Sequence, residues 1–304
     1  MREKADMATP MTAAQVVAQL KKWGLHHVEI PGWATHNRAG HGAWGPVNGL
    51  IWHHTGADVT DAKAYAAGTL YNGLADLPGP LCHFSIGTDG AVYLVGWGRA
   101  NHAGGGDPAV LAHVVNEDYA GQMHPTRGNL NGVDGNSHFY GVEIQYSGSH
   151  EMTAAQYVAA RRLSAAVLDF HGWSEKSVIG HGEWSSDKWD PGYAAGKIMA
   201  MPVVRADVKA TRAAGPTASV PTPPSTSKET GMKLSDAVTV GPWVKAQWPD
   251  DVGLQDGAVS VNTALGSTYG HARAAHEGVD ALRAEVVDLR AALAKLTQLL
   301  TKGA

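Results

Sequence analysis

Cysteine is nearly absent from this 304-residue chain. Cys82 stands alone, so no intramolecular disulfide can form and stability does not depend on an oxidising compartment. Phenylalanine is scarce too, at three residues, leaving ten tryptophans and nine tyrosines to supply most of the aromatic bulk. No apolar run approaches the roughly 20 residues of a membrane span, so no membrane partner is expected. Positive charge is not in surplus either: 24 Lys and Arg against 28 Asp and Glu leave a net charge of -4. Nucleic acid as the main partner would call for a basic patch, and this balance speaks against it. The start, Met1-Arg2-Glu3-Lys4-Ala5-Asp6-Met7, is polar and runs into Pro10 without the apolar core of a secretory signal.

Histidine, by contrast, is plentiful and unevenly spread. Of 16, only His271 and His276 fall after His181. Two of them end short apolar runs that read as strands, in Leu50-Ile51-Trp52-His53-His54-Thr55-Gly56 and Val178-Ile179-Gly180-His181-Gly182-Glu183-Trp184. Asp190 follows nine residues after the second, in Lys188-Trp189-Asp190-Pro191-Gly192. Two imidazoles and a carboxylate make a ligand set that suits Zn2+ and leaves a fourth position open for water, which points to a hydrolase.

Around these residues the pattern is α/β, with a mixed β-sheet flanked by helices. Thr12 and Gln15, and again Thr153 and Gln156, form capping boxes that open helices over Thr12–Trp23 and Thr153–Phe170. Strand-like runs lie at Gly49–His54, Leu81–Gly87, Val92–Trp97 and Phe139–Tyr146, with Thr88-Asp89-Gly90 as a hairpin turn. The Gly- and Asn-rich stretch Gly104–Ser137 reads as loops around a helix near Pro108–Val115. These features divide the chain into an N-terminal helix (1–24), a catalytic domain (25–210), a Pro/Ser/Thr linker (211–231) and a C-terminal module (232–304). In the last, Trp243 and Trp248, a wall-binding patch or a small core, precede a heptad seam through Val279, Leu282, Val286, Leu289, Leu293, Leu296 and Leu300. The seam reads as a coiled coil for homo-oligomer formation through residues 279–300 or as a lone amphipathic helix packed on its own domain.

His53-His54-Thr55-Gly56, Asn101-His102-Ala103-Gly104, Gly141-Val142-Glu143 and His181 through Lys188-Trp189-Asp190-Pro191, in that order, resemble the zinc-dependent N-acetylmuramoyl-L-alanine amidases of type 2. That family shares its fold with peptidoglycan recognition proteins and includes phage endolysins. The resemblance spans roughly residues 25–200. It implies a zinc groove on one face of the sheet and bacterial peptidoglycan as the partner, cut between N-acetylmuramic acid and L-alanine. It also implies His53 rather than His54 as a metal ligand, with His181 and Asp190, and the alternation of a strand agrees, since neighbouring histidines face opposite ways. Glu143 is then the proton carrier, Lys188 the oxyanion donor and His102 a groove residue that touches substrate. Taken without the resemblance, Glu143 reads equally well as a solubilising charge on an edge strand. Some relatives carry a tyrosine where this chain has Cys82, which leaves Glu143 as the base. An endolysin without a signal would collect in the host cytoplasm and be released to the cell wall by a separate pore-former. A recognition module that binds wall without cutting it is the alternative, and the retained ligand set argues against it. A zinc deaminase, suggested by His181-Gly182-Glu183, lacks the paired cysteines it needs.

Overall fold

The computed structural model describes residues 8–216 and two short segments, 237–239 and 258–260. The chain divides into two units, residues 1–223 and 224–304. Of the second unit, the described part is one antiparallel strand pair, Ala237–Thr239 with Ala258–Ser260. Trp243, Trp248 and the heptad seam at 279–300 lie outside the described residues. Among the described residues, no helix is long and apolar enough to cross a membrane.

The first unit is built on a six-stranded sheet. Its strands are β1 (His27–Glu29), β2 (Gly49–His54), β3 (Phe84–Ile86), β4 (Val92–Leu94), β5 (Phe139–Ile144) and β6 (Val178–Gly180), in the spatial order β1-β4-β3-β5-β2-β6. Only the β3/β4 hairpin pairs antiparallel; its turn is closed by Gly90, whose φ of 83° is the left-handed conformation such a turn needs. The other neighbours run parallel. Consequently β2, β5 and β6, adjacent in the sheet, all end at the same edge.

Alternation along the strands separates two cores. One face buries Leu50, Trp52, Tyr140, Val142 and Ile144 against helices α1 (Ala13–Lys22), α4 (Ala154–His171) and α6 (Met201–Ala214). The other buries Ile51, Phe139 and Ile179 with Trp184 and with Val110 and Val114 of α3 (Pro108–Asn116); the short helix α2 (Ala62–Tyr65) follows β2. Both expected capping boxes form, at Thr12/Gln15 and Thr153/Gln156, and each satisfies backbone donors that a helix start leaves open.

Two boundaries differ from the sequence reading. α1 is a layer of the catalytic unit rather than a separate N-terminal piece: Val16, Leu20 and Trp23 are buried, and Gln19, Lys22 and Trp23 all donate to Asp169 on α4. At the other end α6 continues to Ala214, past the expected boundary at 210, because its buried face of Met201, Val204, Arg205 and Val208 docks on the sheet. The strands expected over 81–87 and 92–97 are also shorter, at Phe84–Ile86 and Val92–Leu94; just before Phe84 the Gly141 N–H donates to the His83 ring rather than to the neighbouring main chain.

Candidate active site

The shared strand edge collects the chemistry. β2 and β5 pair with His53 opposite Glu143, and β6 pairs Gly180 with Trp52, so His181 begins where β6 stops and stands level with His53. His181 opens a single helical turn, α5 (His181–Trp184), and the chain then loops back to deliver Asp190. His53 Nδ1, His181 Nδ1 and Asp190 Oδ2 form a triangle with sides of 2.9, 3.0 and 3.1 Å. All three residues are buried, and they are the one His/Cys/Asp/Glu group among the described residues whose donor atoms converge on a common point.

That donor set fits a metal ion. Ligand atoms held about 2.0–2.1 Å from a tetrahedral zinc stand about 3.3 Å apart, close to the spacing here. Nitrogen lone pairs and a carboxylate brought this close repel unless a positive charge sits among them. The surroundings set the charge in the same sense. Burial and the neighbouring His181 lower the His53 pKa to about 4, so the ring is neutral and its electron pair available. Burial alone would raise Asp190, but the neighbouring His181 and His53 overcome it and hold the carboxyl well below its ordinary range. The site presents two imidazoles and an anion.

Glu143 stands beside His53 on a strand flanked by β3 and β2, an interior position. The edge-strand reading of its charge therefore fails. Its Oε2 is buried without a hydrogen-bond partner, and burial together with the Asp190 charge raises the carboxyl to a pKa of about 8, against a smaller opposing effect of Lys188. An orphaned buried carboxyl oxygen costs free energy, and such groups concentrate where chemistry needs them. Lys188 is exposed, near enough for its charge to act on both His53 and Glu143.

His54 takes a different place from His53, as alternation requires. Its Nδ1 accepts the Gly192 N–H, and Tyr146 donates its hydroxyl to the Gly192 carbonyl, so the loop just after Asp190 is gripped from both sides. His102 also differs from the expected groove contact. It is buried, with both ring nitrogens engaged inside the protein, one on His53 and the other on the Phe139 carbonyl. Asn136 and Tyr65 had no sequence signal that marked them, and Gly141 was marked only as part of the Gly141-Val142-Glu143 motif. Asn136 pins the backbone of residues 102–103, and the Gly141 backbone lies against the His102 ring. Tyr65 comes near enough to Glu143 and Cys82 for their charges, added to burial, to raise its hydroxyl pKa.

The model of the family N-acetylmuramoyl-L-alanine amidase (Amidase_2) matches residues 43–193, a span that contains all six of these candidate residues. Residues 43–193 form a domain of this family. The first unit is thus an N-acetylmuramoyl-L-alanine amidase, an enzyme whose substrate is peptidoglycan. Solved structures similar to the chain include the endolysin N-acetylmuramoyl-L-alanine amidase LysCS from Clostridium intestinale, at 18% identity over 55% of this chain and 88% of that one, with a TM-score of 0.32. A mutant endolysin from Bacillus subtilis shares 22% identity over 53% of this chain and 86% of that one, TM-score 0.35. The Drosophila peptidoglycan recognition protein SA shares 18% over 49% and 76%, TM-score 0.32. No curated protein matches the chain.

Proposed function

We propose that this amidase is zinc-dependent, uses Glu143 and Lys188 in the reaction, and acts as a phage endolysin. The observation that carries the chemical part is the triangle of His53, His181 and Asp190 with Glu143 register-paired to His53 on the adjoining strand. Zinc held by these three residues would polarise the scissile carbonyl and acidify a water at neutral pH. Glu143 takes the water proton as the oxygen bonds to the lactyl carbonyl carbon. Lys188 donates to the tetrahedral oxyanion, where a preset donor is worth most. The same Glu143 then passes its proton to the departing nitrogen as the C–N bond breaks, leaving a lactyl carboxyl and a free L-alanine amine. A pKa of about 8 suits a group that must both take and return a proton near neutrality.

The endolysin role rests on a catalytic unit followed by a Pro/Ser/Thr-rich stretch and a second unit. Incubating the purified protein with cell walls tests the cleavage. New L-alanine amino termini are expected; release of reducing sugar in their place would mean that a glycosidic bond is cut. For the metal, chelation abolishes release and zinc restores it. Activity that survives exhaustive chelation refutes the zinc reading.

A further inference from the structure

We propose that the Asn101–Gly104 turn sets the ring tautomer and orientation of both metal-binding histidines, with His102 and Asn136 as positioning residues. This rests on the metal reading above. A backbone carbonyl can only accept, so the 3.3 Å contact between His102 Nε2 and the Phe139 carbonyl places the His102 proton on Nε2. His102 Nδ1 is then an acceptor, and it lies 3.1 Å from His53 Nε2, which must donate. That leaves the electron pair of His53 on Nδ1, the atom that enters the triangle. The other tautomer of His102 would turn a lone pair on the Phe139 carbonyl and drive a proton onto His53 Nδ1, in the middle of the ligand set.

The next residue does the same for the second ligand. The Ala103 carbonyl accepts from His181 Nε2 at 3.0 Å and so leaves His181 Nδ1 unprotonated. Both peptide units are held by one side chain, since Asn136 Oδ1 accepts from His102 N and Ala103 N at 2.8 Å each. Asn136 is itself buried. The ring of His102 fits because position 141 is glycine: a Cβ there would stand 2.5 Å from His102 Cγ. His83, ring-to-ring with His102 at 5.5 Å, is itself held by its nitrogens on the Gly98 carbonyl and the Gly141 N–H. Groups that orient ligand imidazoles in this way govern metal affinity by about 10–100-fold.

The test uses the full chain and reads zinc affinity by competition with a chromophoric chelator. His102→Leu, which keeps bulk but no acceptor, is expected to weaken zinc binding by about 10–100-fold. His102→Asn, whose Oδ1 can stand where Nδ1 stood, recovers most of that loss, and Asn136→Ala weakens binding in the same direction as His102→Leu. Nitrogen-15 NMR of the zinc-loaded wild type should show the proton of His53 on Nε2 and the metal on Nδ1, a readout that survives even if a variant fails to fold. Wild-type affinity in folded His102→Leu, or metal on His53 Nε2, overturns the proposal. Failure of the wild type to bind zinc at all refutes the metal reading instead.

Discussion

Glu143 carries a raised pKa, and the sign of its linkage can be worked out. The folded, metal-free protein keeps a proton on this carboxyl up to about pH 8, whereas the ordinary value of 4.5 applies to the unfolded chain. Between these values the folded state binds more protons, so its stability falls as pH rises, and above about pH 8 the full cost of an ionised buried carboxyl is present. Glu143→Gln removes that cost. In chelated protein the variant is expected to unfold a few degrees higher than wild type at pH 9, with the gap shrinking toward pH 5. A gap independent of pH would mean that Glu143 is not a buried titrating group. The same variant should bind zinc normally and lose about 10²–10⁴-fold in wall hydrolysis, the usual share of a general base. Much at this scale was legible beforehand. Alternation along Trp52-His53-His54 separates the candidate ligand from its neighbour, and the structure puts His54 on Gly192 while His53 enters the triangle. The work of His102, Asn136 and Gly141 was not legible, because it exists only in contacts between residues 33 to 49 apart along the chain.

At the scale of the elements, β6 and α6 show how the site is braced. Glu183, fully buried, accepts from Met123 N and from Gly180 N at the tip of β6, and pairs bidentately with Arg205 of α6 at 2.7 and 3.0 Å. Arg205 also donates to the Val178 and Gly121 carbonyls, which fastens α6 to the strand that delivers His181. Breaking such a pair by removing one partner leaves an uncompensated buried charge. Arg205→Ala is therefore expected to cost about 3–5 kcal/mol in denaturant unfolding, whereas replacing both members with apolar residues of similar volume should cost much less. Equal losses in the two proteins would contradict this. The sequence pattern placed α1, α4 and β2 correctly because caps and periodicity are local, but it did not mark α6. It could not place β5 in the interior of the sheet or foresee that the His83 ring accepts the Gly141 N–H just before β3, since both depend on which strands become neighbours. Nor did it reveal that α1 and the end of α6 belong to the catalytic unit, a matter of tertiary packing against α4 and the sheet.

For the whole molecule, the candidate site residues and their braces all fall within the first unit, and the chain divides at 223/224. A protein ending at residue 231 is accordingly expected to keep zinc affinity and to cleave soluble muramoyl-peptides at the wild-type rate. Loss of zinc binding on that truncation would show that the second unit completes the site. The segment 232–304 is proposed to serve wall targeting or self-association through 279–300. Its deletion should lower wall pull-down, solution mass, or both; no change in either rules out both roles. The claim on which the rest depends is that His53, His181 and Asp190 hold one zinc ion. Metal analysis of the purified protein beside Asp190→Ala tests it most directly. One zinc per wild-type chain is expected, and little in the variant; full occupancy of the variant, or none in the wild type, would contradict it.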